Sequence, residues 1–123
     1  MPLSVLSILG DAFWIVATAM IASATRGVWR ALPADARLPM QWGLNGKVGW
    51  RARKAPALGL ALGFAIVFGL VLSALARAPQ FAPDELLILF LVRAATAPLF
   101  ILVHMLWLRG VLRTLAAEGV LKP

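Results

Sequence analysis

The uncharged apolar stretch from Ala55 to Ala76 constrains this chain more than any other feature. About 20 apolar residues in a helix span a bilayer, so this stretch has the length and composition of a transmembrane helix. Pro56 lies in its first turn, where proline removes no helical hydrogen bond. The whole chain agrees, because 62% of its residues are hydrophobic, 14% are charged and the mean hydropathy is +0.89. This composition excludes disorder and a conventional soluble enzyme fold.

Two further segments have the same character. Leu86–Leu108 contains Arg93, but its Leu, Ile, Val and Phe residues outweigh the roughly 3 kcal/mol cost of one central arginine. Leu3–Thr25 is weaker because it contains Asp11, and Ala22–Ala24 resembles a signal-peptide cleavage site. A signal peptide also needs a basic start, which the first ten residues lack, so a span is favoured. We predict an all-α integral membrane protein, one domain over 1–123, with three transmembrane helices at about 3–25, 55–76 and 86–108 and a basic Gly/Pro/Trp-rich loop at 26–54.

The positive charges predict the orientation of these spans. The chain has 12 Lys and Arg against 5 Asp and Glu, a net charge of +7. With three spans, the 26–54 loop and the C-terminal tail lie on one side, and cytoplasmic loops carry the excess of Lys and Arg. The cations of this side are Arg26, Arg30, Arg37, Lys47, Arg51, Arg53, Lys54, Arg109, Arg113 and Lys122. The other side has Arg77 beside Asp84 and Glu85. We predict the N-terminus outside and the C-terminus inside. The excess of Arg over Lys and the abundant Ala are typical of a GC-rich bacterial genome.

The residue inventory argues against enzymatic chemistry. The chain has no Cys and one His, and its five acidic residues are scattered, so no metal site, catalytic set or cofactor is predicted. The basic loop, with Trp42 and Trp50, has a composition that binds either nucleic acid or anionic lipid. Because basic clusters next to membrane spans typically meet lipid headgroups, we expect membrane lipids as partners and no nucleic acid.

Polar residues inside the predicted spans are the next candidates. Asp11 lies eight residues from Leu3, and Arg93 lies eight residues from Glu85, so each is about 12 Å down its helix from the predicted outer side. Equal depth favours a structural ion pair. The alternatives are Asp11 as an interfacial cap with a snorkelling Arg93, or a proton or ion relay. His104 is either an interfacial packing residue or a pH-sensitive group.

Small residues recur every four positions in the second span. This stripe runs through Ala61, Ala65, Gly69 and Ser73, and Gly59 and Gly63 form a separate G-x-x-x-G pair. Membrane helices pack through such surfaces because lipid provides no hydrophobic drive between them. The stripe therefore predicts helix packing, either within the chain or in an oligomer.

The loop carries an ordered set of motifs directly before the second span. They are Leu32-Pro33, Leu38-Pro39, the run Gln41–Gly46, Gly49-Trp50 and Arg53-Lys54. Asn45-Gly46 is a turn signal and predicts a hairpin tip between Met40–Leu44 and Lys47–Trp50. From Leu32 to Lys54 the loop resembles that of the SdpI-like membrane proteins. Gln41 stands where that family usually has His, and Lys47–Gly49 lacks the acidic residue that often follows the glycine.

The resemblance implies a small, non-enzymatic protein of the bacterial inner membrane. SdpI itself is associated with immunity to a secreted toxin and with holding a repressor at the membrane. We expect this chain to bind a toxin, a lipid or a partner protein through its loop and bundle. The loop residues implicated are Pro39, Gln41, Trp42, Asn45, Gly46 and Trp50. Two alternatives remain: an accessory or assembly subunit of a larger membrane complex, or a small transporter or channel subunit that uses Asp11, Arg93 and His104. A protein partner or homo-oligomer is expected.

Overall fold

The computed structural model describes residues 3–78 and 82–120, with side chains from residue 5 onward. These residues form α1 (Leu3–Ala31), β1 (Arg37–Trp42), β2 (Val48–Arg53), α2 (Lys54–Ala76) and α3 (Pro83–Ala117). All three helices are long and apolar enough to cross a membrane. The predicted all-α membrane fold with three spans is therefore confirmed. Lys122 and the centre of the connection between α2 and α3, residues 79–81, lie outside the described residues.

Two helices are longer than the apolar segments that predicted them. α1 continues past Thr25 to Ala31, and α3 continues past Leu108 to Ala117. Hydropathy measures how much of a helix prefers lipid, whereas these extensions are amphipathic and cover a core of their own. Its buried members at the ends of α1 and α3 are Val28, Leu32, Leu108, Val111 and Leu115. The loop predicted for 26–54 is correspondingly shorter, and residues 32–53 connect α1 to α2.

The connecting segment folds into the predicted hairpin. β1 and β2 pair antiparallel, and the turn between them contains Asn45-Gly46. Leu38 and Pro39 are buried, so β1 covers the end of the helical bundle. The pairing is irregular on both sides of Gln41, which lies opposite Trp50. This bulge changes which side chains of β1 face the bundle.

The helices pack around a second, smaller cluster in the middle of the bundle. Its buried members are Trp14, Ala17, Leu72 and Ala97, with Phe68 and Phe100 packed around them. α3 packs mainly against α1 and touches α2 much less. Most of the large apolar side chains in the three helices are exposed, as expected for helices whose solvent is lipid.

Candidate functional site

Asp11 is the centre of a polar network that joins all three helices. Its carboxylate accepts hydrogen bonds from Arg93 on α3, from Arg77 at 2.5 Å and from the Ser73 hydroxyl at 2.8 Å. Asp11 and Arg93 therefore form an ion pair between α1 and α3. The sequence indicated Ser73 as a packing residue and Arg77 as a cation of the other side, but it identified neither as a partner of Asp11. Their spacing of four residues places both on one face at the end of α2. The Asp11 carboxylate raises the pKa of Arg77, which lies just beyond α2.

Arg93 is the most deeply buried member of this network. Its side chain is 1% exposed and also donates to the backbone oxygen of Ser7 at 3.4 Å. The guanidinium lies directly on Gly10, where an added Cβ would come within 2.5 Å of Nη1. Gly10 therefore admits the arginine between α1 and α3. Two arginines face one carboxylate, but Arg77 is half exposed, so the buried part of the network is one ion pair.

The hairpin is fastened to the end of α3 by two tryptophans. The Trp42 indole donates to the Thr114 hydroxyl at 3.2 Å and lies on Gly110, where an added Cβ would be 3.1 Å from the ring. The Trp107 indole donates to the backbone oxygen of Pro39 at 3.1 Å. Two motif residues of the loop, Pro39 and Trp42, are therefore directed at the bundle.

Two other motif residues build the turn. The Asn45 side-chain oxygen accepts a hydrogen bond from the backbone N–H of Lys47 at 3.1 Å. Gly46 has a φ of 78°, a conformation that residues with a side chain rarely adopt. The backbone N–H of Gly43 closes the turn onto the Lys47 oxygen at 2.8 Å. Asn45 and Gly46 thus define the shape of the hairpin tip.

The remaining motif residues, Gln41 and Trp50, are free to meet a ligand. They lie opposite each other across the strands, and both side chains are exposed, Trp50 to 54%. Leu44 at the tip is also fully exposed. We call Gln41, Leu44 and Trp50 the outer edge of the hairpin.

Two of the loop cations have structural partners. Arg51 forms a salt bridge with Glu118 just beyond α3. Lys54 lies 4.1 Å above the Trp29 ring and donates to the backbone oxygen of Leu32 at 3.1 Å. Both contacts hold the hairpin against helix ends. The other described cations of residues 26–54 and of the second half of α3 are exposed: Arg26, Arg30, Arg37, Lys47, Arg53, Arg109 and Arg113.

His104 is buried between α1 and α3. Its Nε2 lies 2.9 Å from the Thr25 hydroxyl oxygen, and that hydroxyl donates to the backbone oxygen of Ile21 at 2.7 Å. The ring is 8% exposed and packs beside Trp107. The sequence placed His104 at a helix end but did not reveal Thr25 as its partner, because the two residues are 79 positions apart.

The small-residue stripe of α2 is used inside the chain. Ala65 is buried, and the Trp14 ring packs on Gly69. The Ser73 hydroxyl donates a hydrogen bond to the Asp11 carboxylate. Ala61 borders a groove between α2 and α3. The separate pair, Gly59 and Gly63, is different: among the described residues, nothing lies within 4 Å of a Cβ added at either position.

These observations define the class of the protein as a multi-pass helical membrane protein with a hairpin docked on one end of its bundle. Within residues 3–78 and 82–120, no group of three His, Cys, Asp or Glu side chains is placed to hold a metal ion. No family model, curated protein or solved structure matches the chain.

Proposed function

We propose that this chain is a non-enzymatic, SdpI-like protein of the bacterial inner membrane that binds anionic ligands through its hairpin. In this proposal, the N-terminus is outside and the hairpin and C-terminus are inside. The ligand with the best support is the headgroup of an anionic phospholipid. The observation that best supports the proposal is the division of the hairpin into a docked inner face and an exposed outer edge, which the exposed cations Lys47 and Arg53 flank.

The docked face makes the hairpin a stable platform. Trp42 and Trp107 attach it to α3, and Arg51 and Lys54 attach it to the helix ends. A loop held in this way loses little conformational entropy when it binds a ligand. The outer edge then presents Trp50 beside the flanking cations.

The composition of the outer edge matches a membrane surface. Lys47 and Arg53 are exposed on either side of Trp50 in the sequence, and Leu44 projects from the tip. Tryptophan favours the headgroup layer, and each Lys or Arg near an anionic surface contributes about 1 kcal/mol. Asp35 is the one exposed carboxylate of residues 32–53, so this surface keeps a strong positive excess.

Native mass spectrometry of the detergent-solubilised chain tests the proposal. Phosphatidylglycerol is titrated against phosphatidylcholine, and retained lipids are counted. The variant Lys47→Gln with Arg53→Gln should weaken phosphatidylglycerol binding by about fivefold for each charge removed. The matched variant Lys47→Arg with Arg53→Lys keeps both charges and should bind as the unmodified chain does. Equal binding by both variants would contradict a role for these charges.

Trp50→Ala separates binding from folding. Because Trp50 is largely exposed, its loss should weaken lipid binding without changing the unfolding transition. Trp42→Ala should instead destabilise the docked hairpin, since that side chain packs on α3. If Trp50→Ala leaves lipid binding intact, the outer edge is not the lipid contact.

An accessory subunit is the second candidate function. It is supported by Gly59 and Gly63, whose face of α2 meets no other described residue of the chain. Mild-detergent purification from native membranes tests it: a stoichiometric partner that is lost with Gly59→Leu and Gly63→Leu would favour this function. A transporter subunit has less support, because Asp11 and Arg93 bind each other and His104 lies about 16 Å along α3 from Arg93.

A further inference from the structure

A groove separates α2 from α3 on the hairpin half of the bundle. Its volume is about 480 Å³, which is within the range of small-molecule sites. The exposed side chains of Leu60, Leu99 and Val103 border it. These residues belong to apolar helices of spanning length, so the groove opens toward the acyl chains of the bilayer. Its occupant must therefore come from the lipid phase.

One polar side chain reaches the groove. His104 lies in its wall, and its hydrogen bonds determine which ring nitrogen can accept a ligand proton. The Thr25 hydroxyl has one hydrogen, which it donates to the backbone oxygen of Ile21. Because the Ile21 carbonyl can only accept, both contacts form together when the hydroxyl accepts from Nε2 of His104, and this tautomer leaves the lone pair of the neutral ring on Nδ1.

The Nδ1 lone pair is available. Among the described residues, none donates a hydrogen bond to it. Nδ1 also keeps some accessible surface. Among the described residues, the fully buried side-chain nitrogens and oxygens without a hydrogen-bond partner are Nε1 of Trp14 and Nε of Arg93, and Nδ1 of His104 is not one of them. His104 therefore offers a hydrogen-bond acceptor to a molecule in an otherwise apolar groove.

The charge and depth of the groove restrict the occupant further. Among the residues that the structure describes, no Lys, Arg, Asp or Glu side chain lines it, so an anionic or cationic headgroup would be left without a counter-ion. Met40 of the hairpin and Trp107 line the groove on its hairpin side. His104 lies four residues, about 6 Å along α3, from the end of the apolar segment at Leu108. A hydroxyl that binds His104 therefore lies near one end of the apolar segment and not at its centre.

We propose that the groove between α2 and α3 binds a neutral lipid whose headgroup is a free hydroxyl, and that this hydroxyl donates to Nδ1 of His104. The acyl chains follow the groove past Phe64 and Phe100, whose rings stack at 5.8 Å between α2 and α3. This site is independent of the anionic ligand proposed for the outer edge of the hairpin, because the two sites share no residue and differ in charge.

Photolabelling of the unmodified chain in phosphatidylcholine nanodiscs tests this site. The probe is a diacylglycerol with a photoactivatable group on one acyl chain, and labelled peptides are identified by mass spectrometry. The expected result is saturable labelling around Phe64 and Phe100 that unlabelled diacylglycerol displaces. The same lipid with its hydroxyl methylated should bind about 2- to 12-fold more weakly, which corresponds to the loss of one hydrogen bond.

The His104→Leu variant completes the comparison. It should lower the affinity for diacylglycerol to that for the methyl ether and leave the affinity for the ether unchanged. If the variant does not fold, the two lipids on the unmodified chain still decide the question. Equal binding of both lipids, stronger labelling by phosphatidic acid, or a groove covered by a second copy of the chain would each overturn the proposal.

Discussion

Removing the carboxylate of Asp11 should destabilise the bundle more than removing either arginine that it binds. Asp11→Ala leaves the guanidinium of Arg93, which is 1% exposed, without a counter-ion. Breaking a buried ion pair from one side costs about 3–5 kcal/mol. Arg77→Met should cost about 0–1 kcal/mol, because the side chain of Arg77 is 49% exposed and solvent screens its charge.

Arg93→Met should lie between these two values. The variant keeps an apolar side chain against Gly10, and Asp11 keeps its bonds to Arg77 and Ser73. We expect a cost of about 1–3 kcal/mol, typical of a lost hydrogen bond to a charged group. The double variant Asp11→Ala with Arg93→Met should recover stability relative to Asp11→Ala alone, because it leaves no buried charge unpaired.

Unfolding by sodium dodecyl sulfate in mixed micelles, followed by far-ultraviolet circular dichroism, measures these differences. We expect the loss in the free energy of unfolding to be largest for Asp11→Ala, smaller for Arg93→Met and smallest for Arg77→Met. A loss for Asp11→Ala within about 1 kcal/mol of that for Arg77→Met would refute it, since a buried Arg93 would then not need this carboxylate. Additive effects in the double variant would refute it as well, because residues in contact should show a coupling energy.

Three further predictions concern orientation, docking and packing. The chain has no cysteine, so Lys47→Cys and Asp84→Cys each introduce a single thiol; an impermeant maleimide on intact cells should label the second and not the first, and the reverse pattern would invert the proposed topology. Trp42→Phe keeps an aromatic ring but loses one hydrogen bond, so thermal unfolding should show a loss of about 1 kcal/mol; an unchanged transition would mean that the bond contributes nothing. Gly69→Leu should cost about 1–3 kcal/mol because a Cβ there already lies 3.0 Å from an indole ring, whereas Gly63→Leu faces open space and should cost no stability; equal losses would contradict the described packing.

Two features could be predicted from the sequence, because each depends on residues that are close together in the chain or on a count of residues along one helix. The depth of Asp11 and Arg93 follows from counting residues at 1.5 Å each, and both side chains meet as expected. The turn at Asn45-Gly46 follows from the backbone freedom of glycine and the hydrogen bond of the asparagine side chain. Neither inference required knowledge of how the helices rotate.

Other contacts depend on which faces two helices turn toward each other, or on which side of the hairpin each strand residue points to. Arg77 was placed on the outer surface by sequence, and its pairing with Asp11 emerges only when α1 and α2 are packed together. For a similar reason, the sequence did not show whether Trp42 or Trp50 packs on α3. The bulge around Gln41 shifts the alternation of β1, so counting along the strand does not tell which ring faces α3.

From the sequence alone we predicted three apolar helices, a basic hairpin after the first helix, and an acidic and a basic residue at equal distances from the ends of their spans. These properties depend on the local free energy of transferring each residue into lipid, which a linear chain already contains. Only the folded chain shows that Arg93 packs on Gly10 and that Trp42 docks the hairpin on α3. It also shows that His104 pairs with Thr25 and lines a groove. These depend on contacts between residues far apart in the chain, and hydropathy carries no information about the faces that two helices turn toward each other.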